Sequence, residues 1–213
     1  SFNFTLSRIE RDSSSCCSLI GICRIPHLWT AETPYLYRME VRIVNSKNEV
    51  IQQISENVGV REVMVKDGIL LVNNTPVLLR GTCHNEIDPV HGRALTTTDR
   101  LNQLKMMKAA NVNFIHTAHY PFHPDFHKMR MKWDFMSVCE VPFGYGDSNL
   151  YKEEFTTRTL QQGRSYIDRD KNHPSIIMWT IGNENPYTDV VEKVVQYVKQ
   201  KDPTRPRALP MAG

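Results

Sequence analysis

Four short stretches carry side chains suited to proton transfer and polar recognition. They are Cys83-His84-Asn85-Glu86, His116-Thr117-Ala118-His119-Tyr120-Pro121, Glu140, and Asn183-Glu184. Carboxylates, imidazoles and amides brought together would make a pocket for general acid/base chemistry, with a carboxyl of raised pKa as proton donor. Glu184 has the plainest local context. Asn172-His173-Pro174 is a turn signal, because the residue before a proline is pushed away from the helical region. The run Ser175 to Ile181 is then apolar and rich in β-branched residues, fitting a strand buried on both faces, and it stops at Gly182. Asn183 and Glu184 follow on its C-terminal rim, which is where parallel α/β folds do chemistry. From this stretch alone, Glu184 reads equally as a cap for the helix that follows.

The elements that must position these groups change character along the chain. Residues 1 to about 26 give little pattern beyond a possible strand from Leu19 to Ile25. Tyr35 to Val44 alternates apolar and polar residues, as a half-buried strand does. Asn45 to Asn48 is a hairpin turn, and Glu49 to Val60 returns. Arg61 to Val72 is a ribbon turning at Asp67-Gly68. These strands are too few for a complete sandwich. From residue 76 strands and helices alternate. Strands are expected at Val77–Gly81, Val112–Ile115, Phe135–Cys139 and Ser175–Ile181. Helices are expected behind a Thr98/Asp99 cap, over Asp125–Trp133, from about Tyr151 to Asp170, and over Thr188–Lys201 with its valines on one side. Four strand–helix units in series require a parallel sheet. Each of the four chemical stretches falls at the end of one strand, so a shared pocket is expected there. The division predicted is residues 1–75 for the partial sandwich and 76–213 for the strand–helix part.

Composition narrows the function classes. The 213 residues are 40% hydrophobic and 23% charged, with a net charge of +3. That is ordinary for a globular protein and too weak a charge to argue for nucleic acid. No apolar run approaches the ~18 residues of a membrane span, so no membrane partner is expected. Cys83 and Cys139 read as small buried hydrophobes in strand-like runs; Cys16, Cys17 and Cys23 could form a disulfide or none. Asn3-Phe4-Thr5 and Asn73-Asn74-Thr75 have the form of glycosylation acceptors. His119, His123 and His127 are spaced by four, as zinc ligands on a helix are, but Pro121 and Pro124 interrupt a helix there. No metal and no cofactor is expected.

Several motifs together resemble glycoside hydrolase family 2, which contains β-galactosidases, β-glucuronidases and β-mannosidases. They are Arg80-Gly81, His119-Tyr120-Pro121, Arg169-Asp170-Lys171-Asn172-His173-Pro174-Ser175 and Gly182-Asn183-Glu184. Leu28-Trp29, Pro34-Tyr35-Leu36-Tyr37 and Gly59-Val60-Arg61 are similar to the end of that family's immunoglobulin-like domain. Asp202-Pro203-Thr204-Arg205-Pro206 is similar to the end of the helix after its fourth strand. The resemblance runs in order over roughly residues 26 to 210. It implies an α/β fold: the first half of a (β/α)8 TIM barrel, preceded by part of an immunoglobulin-like β-sandwich. A whole barrel needs ~250 residues.

The resemblance implies part of a retaining exo-β-glycosidase, most like a β-galactosidase, acting on a carbohydrate substrate. Glu184 corresponds to the acid/base and Asn183 to the residue holding the sugar 2-hydroxyl. His119 is expected to line the sugar pocket, with Asn85 and Glu140 as further substrate-side candidates. The family's nucleophile comes from a later strand, so this chain would hold half the catalytic pair and be inactive alone. Its expected partner is the remainder of the barrel or an oligomeric neighbour. There are departures. His116 replaces an arginine, Asn85 replaces a histidine, and the metal ligands of some bacterial β-galactosidases fall at Gly144 and Gly146. Asp134 replaces a glycine at a helix end, where Asp tolerates a left-handed backbone. These favour, as the alternative, a catalytically inactive carbohydrate-binding or structural remnant.

Overall fold

The structure is a computed structural model that describes residues 24–143 and 148–210. The expectations for residues 1–23 and for Gly144 and Gly146 lie outside the described residues. Strands β1 (Tyr37–Val44) and β2 (Val50–Val58) form an antiparallel hairpin. Its turn is tied by Asn45 Oδ1, which accepts from the amides of Lys47 and Glu49 at 2.9 and 3.0 Å. The register pairs Val41 with Ile54, which gathers Met39, Val41, Ile43 and Ile54 on one face and Arg38, Glu40 and Arg42 on the other. The alternation was expected to mean a half-buried strand. Among the described residues nothing covers that apolar face, and its four side chains are 44–48% exposed.

Strands β3 (Val63–Lys66), β4 (Ile69–Val72) and β5 (Thr75–Pro76) make a three-stranded antiparallel ribbon. Asp67 and Gly68 both have positive φ, 52° and 77°, as the two central residues of a type I′ hairpin turn require. Val63 and Val72 pack with Trp29, Ala31, Met136 and Ile177. The buried Trp29 ring donates its Nε1 hydrogen to the Met131 carbonyl at 2.9 Å.

The remaining strands are parallel and neighbour one another in chain order: β6 (Gly81–His84), β7 (Phe114–Thr117), β8 (Met136–Val141), β9 (Ile176–Ile181) and β10 (Arg207–Ala208). Helices α1 (Thr97–Ala109), α2 (Pro124–Arg130), α3 (Thr156–Asp170) and α4 (Asp189–Lys201) connect them. Met136 and Ile177 lie at the N-terminal ends of β8 and β9, so the β3–β5 ribbon packs against that end and leaves the C-terminal rim clear. Between the sheet and α3/α4, Cys139, Trp179 and Ile181 meet Tyr166, Ile167, Val191, Val194 and Val198. Each fully buried aliphatic side chain there is worth about 1.5–3 kcal/mol.

Several boundaries differ from expectation for physical reasons. The first parallel strand is Gly81–His84, not Val77–Gly81. Asn113 occupies the preceding backbone: its Oδ1 accepts from Arg80 N at 2.8 Å and its Nδ2 donates to Leu78 O at 2.9 Å. Helix α1 is capped by Thr96, two residues before Thr98, in a reciprocal box with Asp99. The region before Thr156 is two 3-10 turns, Ser148–Tyr151 and Glu153–Phe155. Asp134 does adopt a left-handed φ of 60°. The fifth strand, β10, was not anticipated. Cys139 is buried, but Cys83 is exposed.

Candidate active site

The C-terminal ends of four adjacent strands deliver the candidate groups: Asn85 after β6, His119 after β7, Glu140 within the last turn of pleat of β8, and Asn183-Glu184 after β9. Pleating decides which way each side chain turns. In β6, His84 turns toward the helix layer, where its Nε2 lies 3.2 Å from Gln103 of α1 and its ring stacks on Phe126. Burial lowers its pKa. Cys83, next to it, turns the opposite way and meets His116.

Glu140 is the hub of this face. Its side chain has 0% exposure, and its Oε2 is 3.2 Å from His116 Nε2 and 3.0 Å from His119 Nδ1. Its backbone amide donates to Thr117 Oγ1 at 3.0 Å. A buried carboxylate is costly unless donors surround it, and two imidazole N–H groups supply them. That fixes the tautomers: His116 presents Nδ1, and the half-exposed His119 presents Nε2. The Ala118–His119 peptide is cis. Glu140, which at a strand end reads equally as pocket wall or as partner of a neighbouring basic residue, is paired with the two imidazoles.

Glu184 is exposed and has a left-handed φ of 50°. The preceding Gly182 is also left-handed, at 75°, and a Cβ there would stand 2.6 Å from Asn185 Nδ2 and 2.8 Å from Phe143. Asn185 is buried, and its Oδ1 accepts from Asn183 N at 3.3 Å. The turn after β9 is therefore closed by a buried amide and projects Glu184 from the rim. Among the described residues, His119 and Glu140 touch directly. Asn85, Asn183 and Glu184 share the rim without a hydrogen bond to that pair.

One group was missed: Thr180, whose Oγ1 lies 3.4 Å from His116 Nε2. His116, noted in the sequence as standing in for an arginine, is Glu140's second partner. Cys83 and His116 are in register across β6 and β7, a pairing that apolar periodicity does not reveal. Glu86 proves structural: it is buried, paired with Arg100 of α1, and accepts from His123 N at 2.8 Å. The three spaced histidines do not converge. His123 caps α2, while His127 is fully buried against Arg130 and Asp170 with its pKa driven well down by burial. Among the described residues, Asp88, His91 and Asp99 do bring ligand atoms within 4.8 Å of one another. Their carboxylates already serve backbone amides, Asp88 those of Val90 and His91 and Asp99 that of Thr96.

Known proteins are similar to this chain in sequence and fold. The sequence model of the glycosyl hydrolases family 2 TIM barrel domain matches residues 63–209, and that of glycosyl hydrolases family 2 matches residues 10–61. A β-galactosidase of Alteromonas mediterranea is 37% identical over 190 residues, covering 85% of this chain and 18% of the relative. One from Pseudoalteromonas haloplanktis is 36% identical over 192 residues, covering 86% and 18%. The chain thus spans about a fifth of the length of these curated relatives. Among solved structures, a β-glucuronidase from Parabacteroides merdae has a TM-score of 0.80 at 24% identity, covering 88% of this chain and 24% of that one. A family 2 β-galacturonidase from Eisenbergiella tayi, bound to galacturonate, has a TM-score of 0.79 at 26% identity, covering 88% and 34%. The five parallel strands are the first half of an α/β barrel, and with two consecutive family segments matched in order, this chain belongs to glycosyl hydrolases family 2.

Proposed function

We propose that the protein containing this chain is a retaining exo-acting β-glycosidase, with terminal β-galactosides as its substrate class. The observation that carries this reading is Glu184, projected by a left-handed turn from the end of β9 onto the rim that also bears the His119–Glu140 pair. In this reading Glu184 donates its proton to the leaving oxygen, then takes a proton from the water that completes hydrolysis. Asn183 holds the sugar 2-hydroxyl, His119 offers Nε2 to another hydroxyl, and Asn85 lines the same pocket. Glu140 acts through the imidazoles it orients. A retaining mechanism needs a second carboxylate about 5–5.5 Å from the first. We assign that nucleophile to a later strand of the intact barrel, which makes the remainder of the barrel this chain's partner and leaves the chain inactive alone. The β-galactosidase relatives support the sugar class; the uronidase structures support the fold. No cofactor is required by this chemistry.

The test is Glu184→Gln in the full-length protein. Hydrolysis of β-galactosides with poor leaving groups is expected to fall about 10²–10⁴-fold, the usual worth of general acid/base catalysis. Aryl substrates with acidic leaving groups should lose much less in the first step. An unchanged rate on poor leaving groups overturns the assignment. The second reading, a sugar-binding remnant, is favoured by His116, whose imidazole stands where the family has an arginine. It predicts a tight sugar complex with no turnover in the unsubstituted protein.

A further inference from the structure

One nucleophile on this face has no part in glycoside hydrolysis. Among the described residues, Cys83 is a free thiol. Register places it directly beside His116 on the neighbouring strand, and its Sγ lies 3.8 Å from His116 Nδ1. The other ring nitrogen, Nε2, is 3.2 Å from Oε2 of Glu140, whose side chain is fully buried. A carboxylate accepting from Nε2–H leaves a lone pair on Nδ1, aimed at the thiol, and stabilises the imidazolium that forms when Nδ1 takes a proton. Nucleophile, base and orienting group are thus in contact in sequence, the arrangement by which thiols are activated. Cys139 has no such setting: it is buried and lies 3.6 Å from the Arg130 guanidinium.

We propose that Cys83 is a reactive thiol, activated by His116 and Glu140, which takes soft carbon electrophiles at the rim of the barrel. With an α-halo amide the thiol proton passes to His116 Nδ1 and sulfur forms a bond to the halogen-bearing carbon. The carbon–halogen bond breaks, the halide leaves with its electron pair, and the imidazolium returns its proton to solvent. Among the described residues, the charged and titratable groups facing His116 are Glu140 and Cys83, with His119 sharing the carboxylate and Thr180 contributing a neutral hydroxyl.

The experiment is iodoacetamide labelling of the full-length protein, read per cysteine by peptide mass spectrometry beside an unstructured cysteine peptide. An ordinary thiol is only a few per cent ionised at pH 7, so Cys83 is expected to label about tenfold faster or more. His116→Gln should bring its rate down to that of the peptide. Equal rates for the native protein and His116→Gln, with both folded, overturn the proposal. If His116→Gln does not fold, the native protein decides: a Cys83 rate at pH 7 no faster than that of the peptide overturns the proposal. Cys83→Ser should remove this label and keep glycoside hydrolysis. Labelling is read without substrate, so it stands or falls independently of the glycosidase reading.

Discussion

Glu140 carries two histidines on one buried carboxylate, and that division sets what each imidazole can present. Removing either donor would leave the charge under-compensated, a penalty of several kcal/mol for a fully buried ion. The same carboxylate therefore links the half-exposed His119 to the thiol-facing His116. Glu140 was legible as a candidate because it ends an apolar run, and His119 because it opens the His119-Tyr120-Pro121 motif. The pairing of Cys83 with His116 was not. It depends on strand register, and expecting the first strand at Val77–Gly81 left Cys83 beyond the strand's end, without a cross-strand neighbour. The capture of Leu78 and Arg80 by Asn113 is a side-chain event that apolar periodicity does not register.

At the scale of elements, the turn that launches β9 is held from outside. Arg205 donates to the carbonyls of Ile176, Lys171 and His173 at 2.6, 2.7 and 3.0 Å and pairs with buried Asp202. Asp202 also accepts from Trp179 Nε1 at 2.8 Å. Burial alone would raise the Asp202 pKa, but Arg205 and these hydrogen bonds hold it below the usual carboxylate range. Arg61 reaches the same turn, donating to Pro174 O and Ile176 O at 3.1 and 2.9 Å. Arg205→Met keeps the volume but strands Asp202, so a stability loss of about 3–5 kcal/mol is expected. Urea denaturation checks it, and a loss under about 1 kcal/mol would show that the clamp is dispensable. The Asp202 to Pro206 motif was visible in the sequence, yet its partners were not, being backbone carbonyls some thirty residues away. Strand β9 was readable from its apolar run; β10, two residues long, has no period to read.

Across the whole molecule, acid should loosen the fold before it titrates ordinary carboxylates. His127 and His173 stack at 5.4 Å beside Arg130. Burial, reinforced by the Arg130 charge, lowers His173 from 6.5 to about 4. The folded state thus resists protons that the unfolded chain accepts, so stability present above pH 6.5 drains away as pH falls toward 4. Asp170 works in the opposite sense at the acid end, because burial pushes it up against the pull of its Arg169 clasp. Thermal midpoints at pH 7, 5.5 and 4.5 should decline steadily; a flat series would remove the histidines from the account. The left-handed backbone at Glu184 has a bearing on the same global quantity. A non-glycine residue in that conformation costs about 1–2 kcal/mol, and Glu184 has no described contact to offset it. Glu184→Gly should therefore yield a protein that melts higher, and a lower melting point would contradict this. Under the proposed mechanism, what glutamate brings to that turn is chemistry, held there at the expense of stability.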